Sequence, residues 1–262
     1  LIDVFYKNVY YIVIGRYYSA TQLGQYTRAE QFSTIFSSNL TSVVQRVSYP
    51  VLSSIQEEPE RLRDAYRKII KVTMLITFAL MFGLAAIAKP LIVILIGEKW
   101  LMAVPFLQII CFSEMLYPLH AINLNILQVR GYSGLFLKLE IVKKIIAVIP
   151  IMIGIFWGIN YMLWGAVCIS LVSYILNSYY SGRLIDYSTV KQVKDIFPCF
   201  LVSSLVALLM WGITFLHFNY WVTLLLQVSV GILLAIVAYE RMRLEEYKEI
   251  RRIILSIIRK NS

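Results

Sequence analysis

Apolar residues in this chain do not alternate with polar ones. They run together in long blocks separated by short polar intervals. A bilayer core of roughly 30 Å is crossed by about 20 helical residues, and eight blocks approach that length. They cover about residues 2–18, 23–51, 69–88, 103–129, 138–157, 161–180, 196–216 and 221–239. Only helices or closed barrels satisfy the backbone in lipid, and unbroken apolar runs lack the two-residue period of a barrel strand. The pattern therefore predicts an all-α polytopic membrane protein with about eight transmembrane helices.

The intervals sharpen these boundaries. Lys89-Pro90 is expected to end the third helix, because proline lacks an amide donor. Residues 91–96 then read as a re-entrant or interfacial piece, closed by Gly97-Glu98-Lys99-Trp100. Residues 157–160 and 217–221 read as tight turns with aromatic residues at the membrane interface. The longest polar interval runs from Arg46 to Lys71. Its Glu57-Glu58-Pro59-Glu60 is the acidic first turn of a helix, with the proline near the start.

Composition agrees. Of 262 residues, 59% are hydrophobic and 15% charged, against about 45–50% and about 25% in soluble domains. The net charge of +10 raises nucleic acid as a partner, but no basic stripe with interleaved aromatics is present, and no nucleic-acid partner is expected. Excess Lys and Arg in cytoplasmic loops explain the charge better. Alternating across the eight spans, 19 cations fall on one side: in residues 51–71, 129–144, 181–194 and after Glu240. Only Arg16, Lys89 and Lys99 fall on the other. The Arg46–Lys71 interval and the C-terminus are thus expected in the cytoplasm. Beyond Glu240, Leu244, Tyr247, Ile250, Ile254 and Ile257 recur at helical spacing among basic residues. This reads as an amphipathic helix on the anionic inner leaflet or as a merely solvated one.

Cys111, Cys168 and Cys199 lie apart in apolar blocks and behave as small hydrophobes. Neither metal nor cofactor is expected. The chain begins at Leu1 without a signal-peptide pattern, which leads us to expect a missing N-terminal part. No phosphate loop, zinc-hydrolase or nucleophile-elbow motif occurs, so an enzyme is not expected.

Ionisable residues within a span are costly and mark partners, cavities or pathways. On the second span Arg28, Gln31, Ile35, Asn39, Ser42 and Arg46 fall near one line at 100° per residue. They are either the wall of a water-filled lumen for an anionic solute or two snorkelling arginines with helix-gluing amides between them. Glu30 points away and can pair with a neighbouring helix. On the fourth span Glu114, Tyr117, Ala121, Asn125 and Gln128 share a face, with Pro105 and Pro118 able to kink it. Glu114 either takes up a proton or cation during transport or is a neutralised buried carboxylate; Asn125 is grouped with it. His120 reads as a packing residue. In the first span Asp3 and Lys7 can form an ion pair, or Lys7 can face the lumen beside Tyr10. Lys143 and Lys144 are expected to snorkel to the inner interface or lie inside the protein, with Glu140 a partner for either. The third, seventh and eighth spans carry few polar groups and are expected to face lipid more than cargo.

Several motifs together resemble a known family. Ile14-Gly15-Arg16-Tyr17 precedes Leu23-Gly24-Gln25-Tyr26. Tyr49-Pro50-Val51-Leu52-Ser53 precedes Glu60-Arg61-Leu62-Arg63 and Ala65-Tyr66-Arg67. Gly97-Glu98-Lys99-Trp100 leads into Ala103-Val104-Pro105-Phe106-Leu107-Gln108. Their order is similar to the polysaccharide transporter branch of the multidrug/oligosaccharidyl-lipid/polysaccharide exporter superfamily, the Wzx-like O-antigen and teichuronic-acid exporters. The resemblance covers roughly residues 1–182 and more weakly the last two spans.

The resemblance implies two six-helix bundles with a MATE-like fold. Residues 1–182 would be the second bundle, 183–240 two additional helices, and 241–262 a basic cytoplasmic tail. It implies a flippase that moves undecaprenyl-diphosphate-linked oligosaccharide across the bacterial inner membrane by alternating access. Partners would be the lipid-linked oligosaccharide, membrane lipids, the missing N-terminal bundle, and polysaccharide polymerase or assembly proteins. The family has no tidy shared set of lumen residues, so the assignment of Arg28 and Arg46 to the diphosphate, with Gln31, Asn39 and the first-span tyrosines such as Tyr10 near sugar and Lys7 in the lumen, rests on this sequence. The rival readings are a drug or cation antiporter of the same superfamily, a membrane-embedded assembly enzyme, and a scaffold.

Overall fold

The computed structural model describes residues 2–242, Tyr247 and Arg251, with side chains from Asn8 onward. All regular structure among these residues is helical. Ten α-helices follow in order: α1 (Ile2–Tyr17), α2 (Ala20–Ser54), α3 (Pro59–Ile96), α4 (Ala103–Glu114), α5 (Tyr117–Val129), α6 (Ser133–Ile146), α7 (Val148–Trp157), α8 (Ile159–Ile185), α9 (Thr189–Gly212) and α10 (Tyr220–Arg241). Every predicted apolar block is helical. Four stretches among the described residues, in α3, α8, α9 with its 3-10 extension to Leu216, and α10, are both long and apolar enough to cross a membrane. The fourth and fifth blocks are broken, at Met115–Leu116 and at Ala147, into α4–α5 and α6–α7. The second is long enough, but its many hydroxyl and amide side chains lower its apolarity.

Helix α3 departs most from expectation. Lys89-Pro90 does not end it; the helix continues through Pro90 to Ile96, so residues 91–96 are its last turns and not a separate re-entrant piece. Pro90 is buried within packed neighbours, and the Ala85 carbonyl one turn before it accepts a bond from Gln108 Nε2 of α4 at 3.2 Å. The carbonyl that loses its helical donor is that of Ala86, next to Ala85, and a proline is tolerated inside a membrane helix where neighbouring helices pack around it. Nor does α3 chiefly face lipid. Tyr66, Ile70, Met74, Phe78, Met81 and Ile92 are all almost fully buried, as a helix apolar all round should be when others surround it. Helices α9, α4, α10 and α2 all pack against it.

Aromatic edges join these layers. Phe200 of α9 meets Phe78 and Phe82 of α3 at 5.3 and 5.2 Å between centroids, and Phe82 meets Phe112 of α4 at 5.7 Å. At the polar end of α3, Arg67 makes a two-pronged bond to Asp195 of α9 at 2.6 and 2.8 Å. Tyr187 donates to the same carboxylate at 2.6 Å. Burial, and then this bond, raise the Tyr187 pKa above its ordinary value, so the phenol stays a donor. Deeper in, Tyr66 donates to Asn123 of α5 at 2.9 Å, and Ser181 of α8 also donates to Asn123.

The resemblance-bearing motifs converge physically. The Trp100 ring lies against α2 at Gly24, where an added Cβ would stand in ordinary contact with it at 3.5 Å. Gln25 donates to the Lys99 carbonyl at 2.7 Å. Gly158, at φ 111°, is the single residue between α7 and α8. That hairpin is tight: a Cβ on Gly154 would stand 2.7 Å from Met162 Cβ. Small residues allow such approach between membrane helices. Pro59 opens α3 with Glu60 in its first turn, as the helix-start reading of the acidic cluster requires, and Arg61 bonds Glu58 at 3.2 Å.

Candidate functional site

Helix α2 presents two different polar faces. The buried one carries Ser33, Ser37, Thr41 and Ser48, with Ala29 and Gln25, against α4 and α5. Ala29, Ser33, Ser37 and Thr41 recur every fourth residue, the small-residue spacing that lets helices approach closely. The exposed one carries Arg28, Gln31, Ile35, Asn39 and Arg46, with Ser42 half-buried. On it, Arg28 Nη1 donates to Gln31 at 2.9 Å, and its guanidinium lies 5.4 Å from the centre of the Trp100 ring. Asn39 Nδ2 caps the Ile35 carbonyl of its own helix at 2.6 Å. At 1.5 Å rise per residue, Arg28 and Arg46 lie roughly 27 Å apart along the axis. No single diphosphate reaches both.

A second polar region lies where the broken helices meet, and it opens to the surface at Tyr117, which is 47% exposed. Glu114 ends α4 and Tyr117 begins α5; Ala147 separates α6 from α7. One cavity of about 320 Å3 is walled by Thr41 and Gln45 of α2, Asn125 and Gln128 of α5, and Glu140 and Lys143 of α6. Another of about 260 Å3 is walled by Tyr10 of α1, Tyr26 and Glu30 of α2, Ser113 and Glu114 of α4, and Ser170 of α8. The two share Tyr117, His120, Lys144, Ala147, Ile169 and Ser173, so they meet at a common waist.

The hydrogen bonds of this interior are specific. Ser37 donates to Glu114 Oε2 at 2.6 Å, Asn125 Nδ2 donates to Ser48 at 3.1 Å, and Tyr11 donates to Glu30. Tyr10 is buried and stacks on Tyr26 at 6.4 Å. Ser170 donates to the Ser113 carbonyl at 3.0 Å, and its oxygen lies 3.2 Å from His120 Nε2. Lys143 pairs with Glu140, their side chains only 12% and 22% exposed. Lys143 therefore does not snorkel to the interface; it lies inside the protein, and Lys144 lines both cavities. Removing both from the loop count leaves the charge bias between the two sides in place.

The sequence-predicted site residues thus fall into two sets. Arg28, Gln31, Asn39 and Arg46 share the outer face of α2. Tyr10, Glu114 and Asn125 lie in the interior. The Lys7 side chain, its pairing with Asp3, and the amphipathic tail apart from Tyr247 and Arg251 lie outside the described residues. Ser170 and the meeting of the two cavities were not anticipated, whereas Lys144 takes the inside position that the sequence left open. The four-residue recurrence of small residues on α2 was the available signal for its packed face. Among the described residues no group of three His, Cys, Asp or Glu side chains is placed to hold a metal.

Residues 1–105 match the family described as "Polysaccharide biosynthesis protein". The chain is 25% identical over 227 residues to the teichuronic acid biosynthesis protein TuaB of Bacillus subtilis, covering 86% of this chain and 47% of that protein. It is 25% identical over 154 residues to the lipopolysaccharide biosynthesis protein WzxC of Escherichia coli, covering 59% of this chain and 31% of that one. Its fold is similar to that of the lipid II flippase MurJ in an inward closed conformation. The TM-score is 0.70 at 15% identity, over 88% of this chain and 50% of that one. The chain spans about half the length, or less, of the relatives it matches.

Proposed function

We propose that this chain, a member of the polysaccharide transporter branch of the multidrug/oligosaccharidyl-lipid/polysaccharide exporter superfamily, supplies one half of a flippase for lipid-diphosphate-linked oligosaccharide in a bacterial inner membrane. Residues 1–182 are the bundle that meets cargo, 183–240 two further helices, and 241–262 a tail on the cytoplasmic side. The names of TuaB and WzxC, and the fold shared with MurJ, support a glycan carried on a lipid. The bias of basic residues supports the orientation.

The observation that carries the reading is the exposed cationic face of α2. A long face of arginines and amides within an apolar protein suits a diphosphate and sugar hydroxyls moving along it, and guanidinium groups bind phosphate bidentately. Because Arg28 and Arg46 stand roughly 27 Å apart, they act in turn. Arg46, next to the basic loops, receives the diphosphate, and Arg28 beside Trp100 releases it. Each interior cavity, at about 320 and about 260 Å3, holds at most a small ligand, so the oligosaccharide travels on the outer face. Rocking of this half against its counterpart exposes that face to each side alternately. The chain acts by moving its cargo, without bond chemistry. In the full-length protein, Arg28→Ala and Arg46→Ala are expected to lower surface polysaccharide at unchanged protein level; undiminished export in both would remove the arginines from the account.

A further inference from the structure

Helix α9 does not close completely on the bundle. Between it and helices α3, α4 and α8 lies a cavity of about 560 Å3, within the roughly 300–1,000 Å3 range of ligand sites. A chain of aromatic rings forms its wall. Trp164 of α8 lies 6.0 Å from Phe112 of α4, Phe112 lies 5.7 Å from Phe82 of α3, and Phe82 lies 5.2 Å from Phe200 of α9, between ring centroids. The polar groups of the wall spend their donors inside the protein. Gln108 Nε2 donates to the Ala85 carbonyl at 3.2 Å, and the Ser204 hydroxyl donates to the Leu201 carbonyl at 2.8 Å. A water needs two to four polar partners, and this wall offers few. Helices α3, α8 and α9 are long and apolar enough to cross a membrane, so hydrocarbon is what meets the cavity.

One end of the cavity carries charge. Phe82, Ala85 and Ala86 line it from α3, and Lys89 continues the same stripe at i+7, i+4 and i+3. Lys89 is exposed and has no acidic partner among the described residues. It stands toward the end of α3 that is opposite the Arg130 side, where Trp164 near the start of α8 and Trp211 near the end of α9 also line the cavity. Tryptophan is enriched at headgroup level, and a lysine there extends its ammonium to the headgroups. An apolar slot that ends beneath an interfacial ammonium is complementary to a lipid with an anionic head. We propose that this cavity holds one acyl chain of an anionic phospholipid from the leaflet opposite the basic loops, its phosphate on Lys89, and that this lipid completes the seam between α9 and the bundle.

The slot is separate from the cargo face. No residue of α2 or of α10 lines it. Helix α4 lies between: its Glu114 meets Ser37 of α2 at 2.6 Å, while its Phe112 faces the slot. A chain lodged in the slot therefore belongs to a lipid whose head sits at Lys89 and not on the arginines of α2. The inference does not require the protein to carry a glycan.

The test is native mass spectrometry of the intact full-length protein in detergent, with phosphatidylglycerol, phosphatidylethanolamine or undecaprenyl phosphate added singly at equal concentration. Phosphatidylglycerol is expected to be retained over phosphatidylethanolamine by about fivefold, the effect of one basic residue near an anionic headgroup. Ser204→Phe and Ala85→Phe, which fill the slot, should each lower the retained count by one lipid. Lys89→Gln should remove the headgroup preference while Lys89→Arg keeps it. In the unsubstituted protein, phosphatidylglycerol with a photoreactive acyl chain should label peptides containing Phe112, Trp164 or Phe200, a readout that needs no folded variant. The proposal is overturned if filled variants that elute and melt normally keep the full lipid count, if Lys89→Gln leaves the preference intact, or if the label falls only elsewhere. Undecaprenyl phosphate retained as well as phosphatidylglycerol would also overturn it, by making the slot a site for the carrier chain. Export measured on Arg28→Ala reports on the cargo reading alone, since that variant should retain phosphatidylglycerol in full.

Discussion

The two faces of α2 share one helix and differ in what holds them. The inner face, with Ala29, Ser33, Ser37 and Thr41, is closed against α4 and α5; Ser37 donates to Glu114 and Thr41 to the Ser37 carbonyl one turn back. The outer face carries the larger and charged side chains, and its arginines are exposed. Polarity alone does not distinguish them. Side-chain size does: small polar residues build contacts between membrane helices, and long polar ones reach beyond them. The inner face therefore governs whether the bundle assembles, and the outer face what the assembled bundle can hold.

Substitutions can break that contrast, and the largest stability effect is expected inside. Glu140→Ala strands Lys143 in the interior, and breaking a buried pair costs about 3–5 kcal/mol; their residual exposure of 22% and 12% places the loss near the lower end, read as a fall in melting temperature in detergent. Restoring most of it with the additional change Lys143→Met would confirm an ion-pair cause. Next comes overpacking: Ala29→Leu, at a position with no exposed surface, should cost about 1–3 kcal/mol. Asn123→Ala removes the acceptor shared by Tyr66 and Ser181 and should cost a similar or smaller amount, about 1–3 kcal/mol. On the outer face, Trp100→Ala loses the contact with Arg28, about 0.5–1 kcal/mol. Arg46→Ala should change stability by less than about 0.5 kcal/mol while lowering export. A stability loss at Arg46 as large as that at Ala29 would erase the distinction.

Much of the fold is legible in sequence because lipid narrows the choices. Once strands are excluded, each apolar block is a helix, and Gly158 and Asn219 mark turns that the structure contains. The misreadings share one cause: local rules met tertiary packing. Pro90 reads as a stop, yet neighbours surround it and Gln108 bonds the preceding turn. Helix α3 reads as lipid-facing because it is apolar, but a helix central to a membrane protein is apolar too. For Lys143 the sequence leaves the interface and the protein interior both open, because nothing in it says that the helix breaks at Ala147 beside a polar cavity.

The candidate site is legible by halves for a similar reason. Helical periodicity places Arg28, Gln31, Asn39 and Arg46 on one face, since that needs only a single helix. The waist draws His120 and Tyr117 from α5, Lys144 from α6 and Ser173 from α8, residues that no spacing within one segment links. His120 on its own reads as packing, and its contact with Ser170 becomes visible only when α5 and α8 are placed.

The central claim is that cargo moves along the outer face of α2 and not through the interior. A photoreactive residue introduced at Asn39 or Gln31, and separately at Ala121 beside the interior cavities, tests it most directly when the full-length protein is irradiated in cells making lipid-linked oligosaccharide. The account predicts a diphosphate-lipid-glycan adduct at Asn39 or Gln31 and none at Ala121. An adduct at Ala121 alone would contradict it.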